Sequence, residues 1–293
     1  SASRLTPISK GSAMRLSFSI CLSFGLFVLG ATPPTAQTTV PPSTSATVQT
    51  AHDARGIEGV GRLDIRGADG ASGFCTAALV SPSLVLTAAH CLFDKSTGQA
   101  FSNEAMTFRA GLRQGEETAS RRVRRMVIHP GYTYSERPTG TALRTDLALL
   151  ELARDVRLPQ VHPFAAQGSL TTGDAVELIS YARGRADAPM RESGCTVLDR
   201  DARVLVLSCS VDYGASGSPV FVRTAQGLQI VSVISSMSDW DGRPVALAVT
   251  VESGLEELKR EFLRTPQFAA RRKVLRVGED GGTGTIRFHR PGD

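Results

Sequence analysis

Zinc-binding patterns are absent from the sequence. None of the five cysteines in the 293 residues forms a Cys-x-x-Cys pair, and no cysteine and histidine stand at the spacing of zinc ligands. Structural zinc sites draw four such ligands from short, regular spacings. We therefore expect no metal site.

A strong excess of one charge is also absent. The chain has 33 Lys and Arg against 28 Asp and Glu, a formal net charge of +5. The densest basic run, Arg121–Arg125, is interrupted by Val123 and leads into apolar residues, which predicts the outer face of a strand. A second basic cluster, Arg271–Arg276, lies in a polar tail. A thinly spread charge of this kind does not predict a nucleic-acid partner.

No uninterrupted apolar stretch is long enough to span a membrane. The longest candidate, Leu16–Ala31, contains three serines, whereas a spanning helix needs about 20 apolar residues. Basic residues precede it, and prolines and small residues follow it, which is typical of a secretory signal. Met14 stands just before the signal, so we interpret residues 1–13 as an upstream extension. Residues 1–36 therefore predict export, to the periplasm or out of the cell, with no stable membrane anchor once the signal is removed.

The cysteine count fits an exported chain. Cys21 lies in the signal, which leaves Cys75, Cys91, Cys195 and Cys209, an even number that suggests two disulfides in an oxidising compartment. Three pairings are possible, and spacing favours the local ones, Cys75–Cys91 and Cys195–Cys209. Each local disulfide would stabilise the fold by roughly 3 kcal/mol.

Long helical periodicity is missing, and short apolar runs separated by turn residues take its place. This pattern predicts an all-β fold. The runs are Ala77–Val80, Leu84–Ala88, Val123–Ile128, Leu147–Leu152, Ala175–Ser180, Val204–Leu207, Pro219–Val222, Gln229–Ile234 and Val245–Val251.

The ends of the chain differ from this β-rich region. Residues 37–55, rich in Thr, Pro, Ser and Ala, have too little bulk to form a core and suggest a linker or short pro-segment. Near the other end, Ser253 and Glu256 form a capping-box pattern, which predicts one helix at the end of the domain. The charged residues 266–293 are expected to be a peripheral tail. The folded domain should therefore span about residues 56–265.

Three segments supply the groups that acyl transfer requires, which are an activated hydroxyl, an oriented base and donors for an oxyanion. His90 follows an apolar strand of small residues, and Asp146 stands at the head of another. Ser216 lies in a glycine-rich turn whose Gly214 and Gly217 allow a tight backbone. In such a turn the amides of Gly214 and Ser216 can point at one spot.

These segments, TAAHC, DLALLEL and GASGSPV, resemble the catalytic motifs of the chymotrypsin-like serine peptidases, in an exported bacterial form. The order His, Asp, Ser matches that family, whereas α/β-hydrolases have the order Ser, Asp, His. The resemblance implies two six-stranded antiparallel β-barrels that meet near residues 155–170, with a C-terminal helix. It also implies a catalytic triad of His90, Asp146 and Ser216, with no cofactor, in a monomer that acts on proteins or peptides. Cys75 is then the usual disulfide partner of the cysteine after the histidine.

The chain departs from the trypsin branch of that family before the nucleophile. Ala215 replaces the Asp that pairs with a newly freed α-amino group, so we expect activity without N-terminal processing of that kind. Ser210, six residues before the nucleophile, replaces the acidic residue that selects Arg or Lys. Trypsin-type specificity is therefore not predicted.

A loose alignment with the family places a substrate pocket at Ser210, Ser235, Ser236 and Met237. Ile234 stands where glutamyl endopeptidases have a histidine. These residues predict a preference for a small or moderately apolar residue before the scissile bond, although Asp212 and Asp239 would add negative charge if their loops fold inward.

The resulting hypothesis is a secreted serine endopeptidase that works through an acyl-enzyme. Two alternatives stay open on the sequence. One is a catalytically weak, protease-like binding protein, and the other is an exported esterase.

Overall fold

The computed structural model describes the backbone of residues 47–49 and then residues 56–67, 70, 72–136 and 140–264. The expected signal region, residues 1–36, and the expected tail, residues 266–293, lie outside the described residues. None of the described helices is both long enough and apolar enough to cross a membrane.

The described part of the chain is mostly β-structure. Its strands are β1 Thr47–Gln49, β2 Val60–Arg66, β3 Ser72–Ser81, β4 Leu84–Thr87, β5 Met106–Ala110, β6 Ala119–Ile128, β7 Ala148–Leu152, β8 Ala165–Ala166, β9 Ala175–Ala182, β10 Arg185–Asp201, β11 Val204–Leu207, β12 Pro219–Thr224, β13 Gly227–Trp240 and β14 Arg243–Thr250, and its α-helices are α1 Thr141–Arg144 and α2 Gly254–Arg264. Short 3₁₀ turns occur at Ala89–Leu92 and Asn103–Ala105. Every apolar run predicted as a strand falls on one of these strands, so the all-β prediction is confirmed.

Six strands form a closed antiparallel barrel in the order β2, β3, β4, β7, β6, β5. Closure depends on β2, where Leu63 lies opposite Cys75 of β3 on one side and Phe108 of β5 on the other. Side chains alternate along each strand, so every second residue points inward. Leu63, Leu79, Phe108 and Leu149 are fully buried in this way.

A second ring of six antiparallel strands runs β10, β11, β14, β13, β12, β9 and closes through pairing of β9 with β10. The short strand β8 lies parallel to β13 outside this ring. The core of the second ring includes Leu178, Val197, Leu207, Val220 and Ala248. The expected pair of six-stranded units is therefore present.

Strand β1 lies within residues 37–55, the expected linker or short pro-segment. Thr47–Gln49 pairs antiparallel with residues 191–193 of β10. The 17-residue β10 is longer than its neighbour β11, which pairs with residues 197–201. An uncovered strand edge has unpaired backbone groups, and β1 supplies partners for that stretch.

Strand β9 joins the two units because both of its faces are buried. Leu178 points into the core of the second ring, whereas Ile179 and Tyr181 belong to the apolar cluster of the first barrel. The hydroxyl of Tyr181 donates a 2.9 Å hydrogen bond to the carbonyl of Leu112. Burial raises the pKa of Tyr181, which keeps this phenol protonated as a donor.

The predicted C-terminal helix is present as α2 and packs on the first barrel. Leu255 and Leu258 are buried, and the ring of Phe262 lies 3.5 Å from the guanidinium carbon of Arg125. The capping box is not formed, because the carboxylate of Glu256 pairs with Lys259 at 2.8 Å instead of reaching back to Ser253. Apolar packing, more than the cap, holds the helix.

The buried His129 links α2 to the barrel in its neutral form. Its Nδ1 accepts a 3.1 Å hydrogen bond from the amide of Gly131, and its Nε2 lies 2.8 Å from Oε2 of Glu257 on α2. Because Nδ1 is an acceptor, Nε2 carries the proton and donates to Glu257. Burial lowers the pKa of His129, the charge of Arg203 lowers it further, and Glu257 opposes both.

This arrangement predicts a pH-dependent stability. The unfolded chain takes up a proton on this histidine as pH falls through its ordinary pKa of about 6.5, before the folded protein does. The free energy of unfolding should therefore fall from about pH 7.5 to about pH 5.5, and it should fall less in His129→Gln. Denaturant unfolding at both pH values measures the difference. The exposed His162, changed to Gln, is the control and should keep the wild-type slope; equal slopes for His129→Gln and wild type would contradict the prediction.

Candidate active site

The candidate base His90 lies in the 3₁₀ turn at the end of β4. The apolar strand Leu84–Thr87 pairs with β3 and β7, which fixes the position where the chain leaves the barrel. The next residue, Cys91, forms a disulfide with Cys75 of β3, and the second disulfide joins Cys195 and Cys209. Both locally paired disulfides expected from the sequence are thus present, and the first one tethers the histidine turn.

Asp146 is buried, and three hydrogen bonds satisfy its carboxylate. Its Oδ1 accepts from the amide of His90 at 2.8 Å, and its Oδ2 lies 2.7 Å from Nδ1 of the same residue. The third donor is the hydroxyl of Ser235, 2.5 Å from Oδ2. A buried carboxylate is tolerated only with such partners. Nδ1 of His90 therefore carries a proton, and Nε2 is free to accept one.

The hydroxyl of Ser216 lies in the same cleft as this imidazole, because both residues line two cavities beside the turn. In this structure the hydroxyl makes no hydrogen bond to His90, and Nε2 lies 3.9 Å from Sγ of Cys91. Catalytic hydrogen bonds are often long or poorly aligned without substrate. The structure thus brings His90 and Ser216 to one cleft and joins His90 to the buried Asp146 by hydrogen bonds.

The turn before and after Ser216 leaves two backbone donors unused. The amides of Ala215 and Gly217 donate to carbonyls, at 2.9 Å to Asp212 and 2.8 Å to Ile234. The alternate amides, those of Gly214 and Ser216, donate to no acceptor among the described residues. Gly214 and Gly217 have φ angles of 96° and 79°, which L-residues rarely adopt. This backbone can present two N–H groups to an anionic oxygen.

Thr76 of β3 fastens this turn to the first barrel. Its amide donates to the carbonyl of Ser216 at 2.9 Å, and its hydroxyl donates to the carbonyl of Gly214 at 3.0 Å. Its own carbonyl accepts a 2.9 Å hydrogen bond from the hydroxyl of Thr87. The candidate nucleophile is thereby positioned by the barrel that carries the histidine.

No acidic side chain stands at position 215, and Ala215 is buried. The amide of Gly56 donates instead to the carboxylate of Glu58 at 2.9 Å, and Ile57 is buried in the core of the first barrel. Activity without N-terminal processing therefore stays a prediction.

A family model of the trypsin-like peptidase domain matches residues 71–228, more than half of the chain. The chain belongs to this family. The matched residues include His90, Asp146 and Ser216. No curated protein sequence matches the chain.

One group of possible metal ligands lies beside the candidate site. Within the residues that the structure describes, the one cluster with suitable spacing comprises Cys75, His90 and Cys91. Its two sulfur atoms are bonded to each other, and a metal ligand must be a thiolate.

A cavity of about 450 Å³ opens on one side of Ser216. Ser235, Ser236 and Met237 of β13 line it as expected, together with Ile234 and Val211. The hydroxyl of Ser235 is bound to Asp146, so this side chain serves the carboxylate more than the cavity. Asp212 also lines the cavity, whereas the carboxylate of Asp239 accepts the amide of Gly242 in the turn after β13.

Ser210 does not line this cavity, contrary to the sequence-based expectation. It is exposed, and its amide donates to both carboxylate oxygens of Glu192, at 3.1 and 3.0 Å. Burial raises the pKa of Glu192, while the amide of Ser210 and the charge of Arg185 lower it. No sequence motif points to Glu192, because it stands within a long, charge-rich strand. The buried acidic group nearest to residue 210 is thus on β10.

An aromatic wall that the sequence did not predict borders the first cavity. Tyr134 lines the cavity and stacks on Phe93, with ring centroids 5.0 Å apart. Tyr132 also contacts Phe93, with ring centroids 5.8 Å apart. Burial raises the pKa of Tyr132, and the carboxylate of Asp146 raises it further, so the phenol stays neutral. A local signal that could have indicated it is the stretch His129–Tyr132 (HPGY), which ends in one of these aromatic residues.

The turn at Gly217 gives a stability prediction with an internal control. A Cβ at Gly217 would overlap the hydroxyl of Thr87 and the carbonyl oxygen of Thr76, whereas a Cβ at Gly184 meets nothing within 4 Å. The φ angles of the two glycines, 79° and 76°, are almost equal, so backbone strain is matched. Gly217→Ala should therefore lower the free energy of unfolding by about 1–3 kcal/mol more than Gly184→Ala does. Equal losses in urea unfolding would show that the turn is not packed against the barrel.

Proposed function

We propose that the protein is a secreted serine endopeptidase that hydrolyses peptide bonds through His90, Asp146 and Ser216. The observation that carries this proposal is the buried Asp146 carboxylate, which holds the imidazole of His90 in one tautomer beside Ser216. Two unpaired amides in the Ser216 turn add an oxyanion site. Membership of the trypsin-like peptidases supports the reaction class.

In the proposed mechanism, Nε2 of His90 takes the proton of the Ser216 hydroxyl while the oxygen bonds to the substrate carbonyl carbon. The carbonyl oxygen becomes an oxyanion, bound by the amides of Gly214 and Ser216. Asp146 stabilises the imidazolium. The imidazolium then protonates the leaving nitrogen, the C–N bond breaks, and an acyl-enzyme remains. Water, deprotonated by His90, releases the acid and restores Ser216.

The surroundings of the cleft suggest the substrate and the compartment. The cavity lined by Ile234, Val211 and Met237 favours a small or moderately apolar residue before the scissile bond. Two disulfides are typical of an oxidising compartment, which agrees with the secretory pattern at the N-terminus. We propose an exported monomer that acts on protein or peptide substrates without a cofactor.

The alternative of a protease-like binding protein is favoured by one observation, the missing hydrogen bond between Ser216 and His90. Turnover separates the two functions, because a binding protein retains peptides without cleaving them. Comparison of peptides with simple esters separates the esterase alternative, for which peptide cleavage is not expected.

The main test is Ser216→Ala with a fluorophosphonate probe and a peptide library. Wild type should be labelled and should cleave peptides, and the variant should lose labelling and about 10⁶-fold in kcat. Ser218→Ala, which changes a buried hydroxyl two residues away in the same turn, is the matched control and should keep the labelling. Labelling that survives in Ser216→Ala would refute the assignment of the nucleophile.

The hydroxyl of Ser235 gives a second prediction. Its removal leaves the buried Asp146 with one donor fewer, and hydrogen bonds to charged groups contribute about 1.5–3 kcal/mol. Ser235→Ala should therefore lower kcat/KM by at least about tenfold. The control is Ser238→Ala, an exposed serine on the same strand. An unchanged kcat/KM for Ser235→Ala would mean that this hydrogen bond does not support catalysis.

A further inference from the structure

A second cavity, of about 590 Å³, opens on the other side of the catalytic groups. It is bordered by Phe74, the Cys75–Cys91 disulfide and Gly214, and it shares His90, Lys95, Tyr213 and Ser216 with the first cavity. The acyl part of a substrate stays on Ser216 with its side chain in the first cavity. The leaving part lies beside His90, which protonates it, and the second cavity is the space there that the acyl side chain does not fill.

Two cations face this second cavity over a single aromatic ring. The guanidinium carbon of Arg183 lies 4.2 Å from the ring centroid of Tyr213, and Nζ of Lys95 lies 5.9 Å from it. Tyr213 is 54% exposed although it directly precedes Gly214 of the oxyanion turn. The amide of Arg183 also donates to the carbonyl of Tyr213 at 2.7 Å. The backbone thus fixes one cation next to the reacting groups.

Neither cation is neutralised by a carboxylate of the described residues. Lys95 and Arg183 are exposed and form no ion pair there, and their recorded side-chain contacts are those with Tyr213. The one acidic group lining the cavity is Asp94, whose Oδ1 accepts both the amide and the hydroxyl of Ser96 at 2.7 and 2.6 Å. The second cavity is therefore lined by two positive charges and one negative charge, and the negative charge is already hydrogen-bonded to Ser96.

We infer that this peptidase selects substrates with carboxylates in the first two residues after the scissile bond, bound by Lys95 and Arg183. The inference rests on the proposed function, because it assigns the leaving side of the same site. The cation–π contacts with Tyr213 hold both cations in place and leave them able to form ion pairs, since an aromatic ring carries no formal charge. Carboxylates that enter the cavity therefore meet two cations that have no competing ion pair among the described residues.

The expected preference for acidic substrates is modest because both cations are exposed. Each exposed ion pair contributes little and is screened by salt. Two pairs together should favour an acidic over a neutral leaving segment by roughly tenfold in kcat/KM at about 20 mM salt, and by less than about twofold at about 0.5 M.

The test compares quenched peptides that are identical up to the scissile bond and continue with either Glu-Glu or Gln-Gln, all amidated at the C-terminus. Wild type should prefer the Glu-Glu peptide in low salt. In the double variant Lys95→Gln with Arg183→Gln, the ratio of the two kcat/KM values should fall to about one. The control removes two exposed cations elsewhere, by Arg154→Gln with Lys259→Gln, and should keep the wild-type ratio.

A second peptide pair identifies the source of the carboxylate. These peptides end two residues after the scissile bond, either as a free acid or as an amide. A preference for the free acid in addition to Glu-Glu extends the inference to terminal carboxylates. A preference confined to the free acid overturns the assignment to an internal acidic residue.

Failure of this inference can be distinguished from failure of the proposed function. A peptide anilide has no residue after the scissile bond, so its hydrolysis reports turnover alone. Anilide hydrolysis without a preference for Glu-Glu, or a preference that survives the double variant, overturns the inference and leaves the peptidase assignment intact. Absence of cleavage of every substrate overturns both.

Discussion

The geometry of the site depends on the contact between Thr76 and the turn that carries Ser216. Thr76 is fully buried on the first barrel, and it binds carbonyls on both sides of Ala215. Its Oγ also accepts the amide of Tyr181 at 3.0 Å, so one side chain joins β3, β9 and the turn. The carbonyls of Gly214 and Ser216 are thus bound, whereas the amides of the same two residues donate to no acceptor among the described residues. A hydrogen-bond hub of this kind sets the orientation of the turn when both barrels fold.

This hub explains how the turn is held without an acidic residue at position 215. In the trypsin branch that position pairs with a freed amine, and the chain has a buried Ala215 instead. Backbone hydrogen bonds from Thr76 and to Ile234 supply the constraint from both barrels. The residues that bind the turn in this way, Thr76 of β3 and Ile234 of β13, belong to core strands.

The fold and the three catalytic candidates could be predicted because local patterns carry them. Short apolar runs mark inward-facing strands, and glycines mark the tight turn at Ser216. The sequence did not predict strand β10, because charged residues interrupt its apolar residues. In the structure these charges are paired across the sheet, as Arg191 is with Glu177. Lys95 and Arg183 were missed because they are 88 positions apart and meet only when Tyr213 lies between them. Ser210 was misplaced because its amide is bound by a distant carboxylate, that of Glu192.

Lys95 and Arg183 are far apart in the sequence and come together only in the folded chain. Substrate specificity is therefore harder to predict from the sequence than the catalytic chemistry. A buried carboxylate such as Asp146 needs hydrogen-bond donors nearby, so few arrangements of neighbouring residues can accommodate it. Exposed cations around Tyr213 are under no such constraint, because water solvates them wherever the loops place them. Loop residues can therefore change the substrate preference while the buried hydrogen bonds, which hold the reacting groups, stay the same. The charge of the second cavity follows from tertiary contacts and not from any sequence motif.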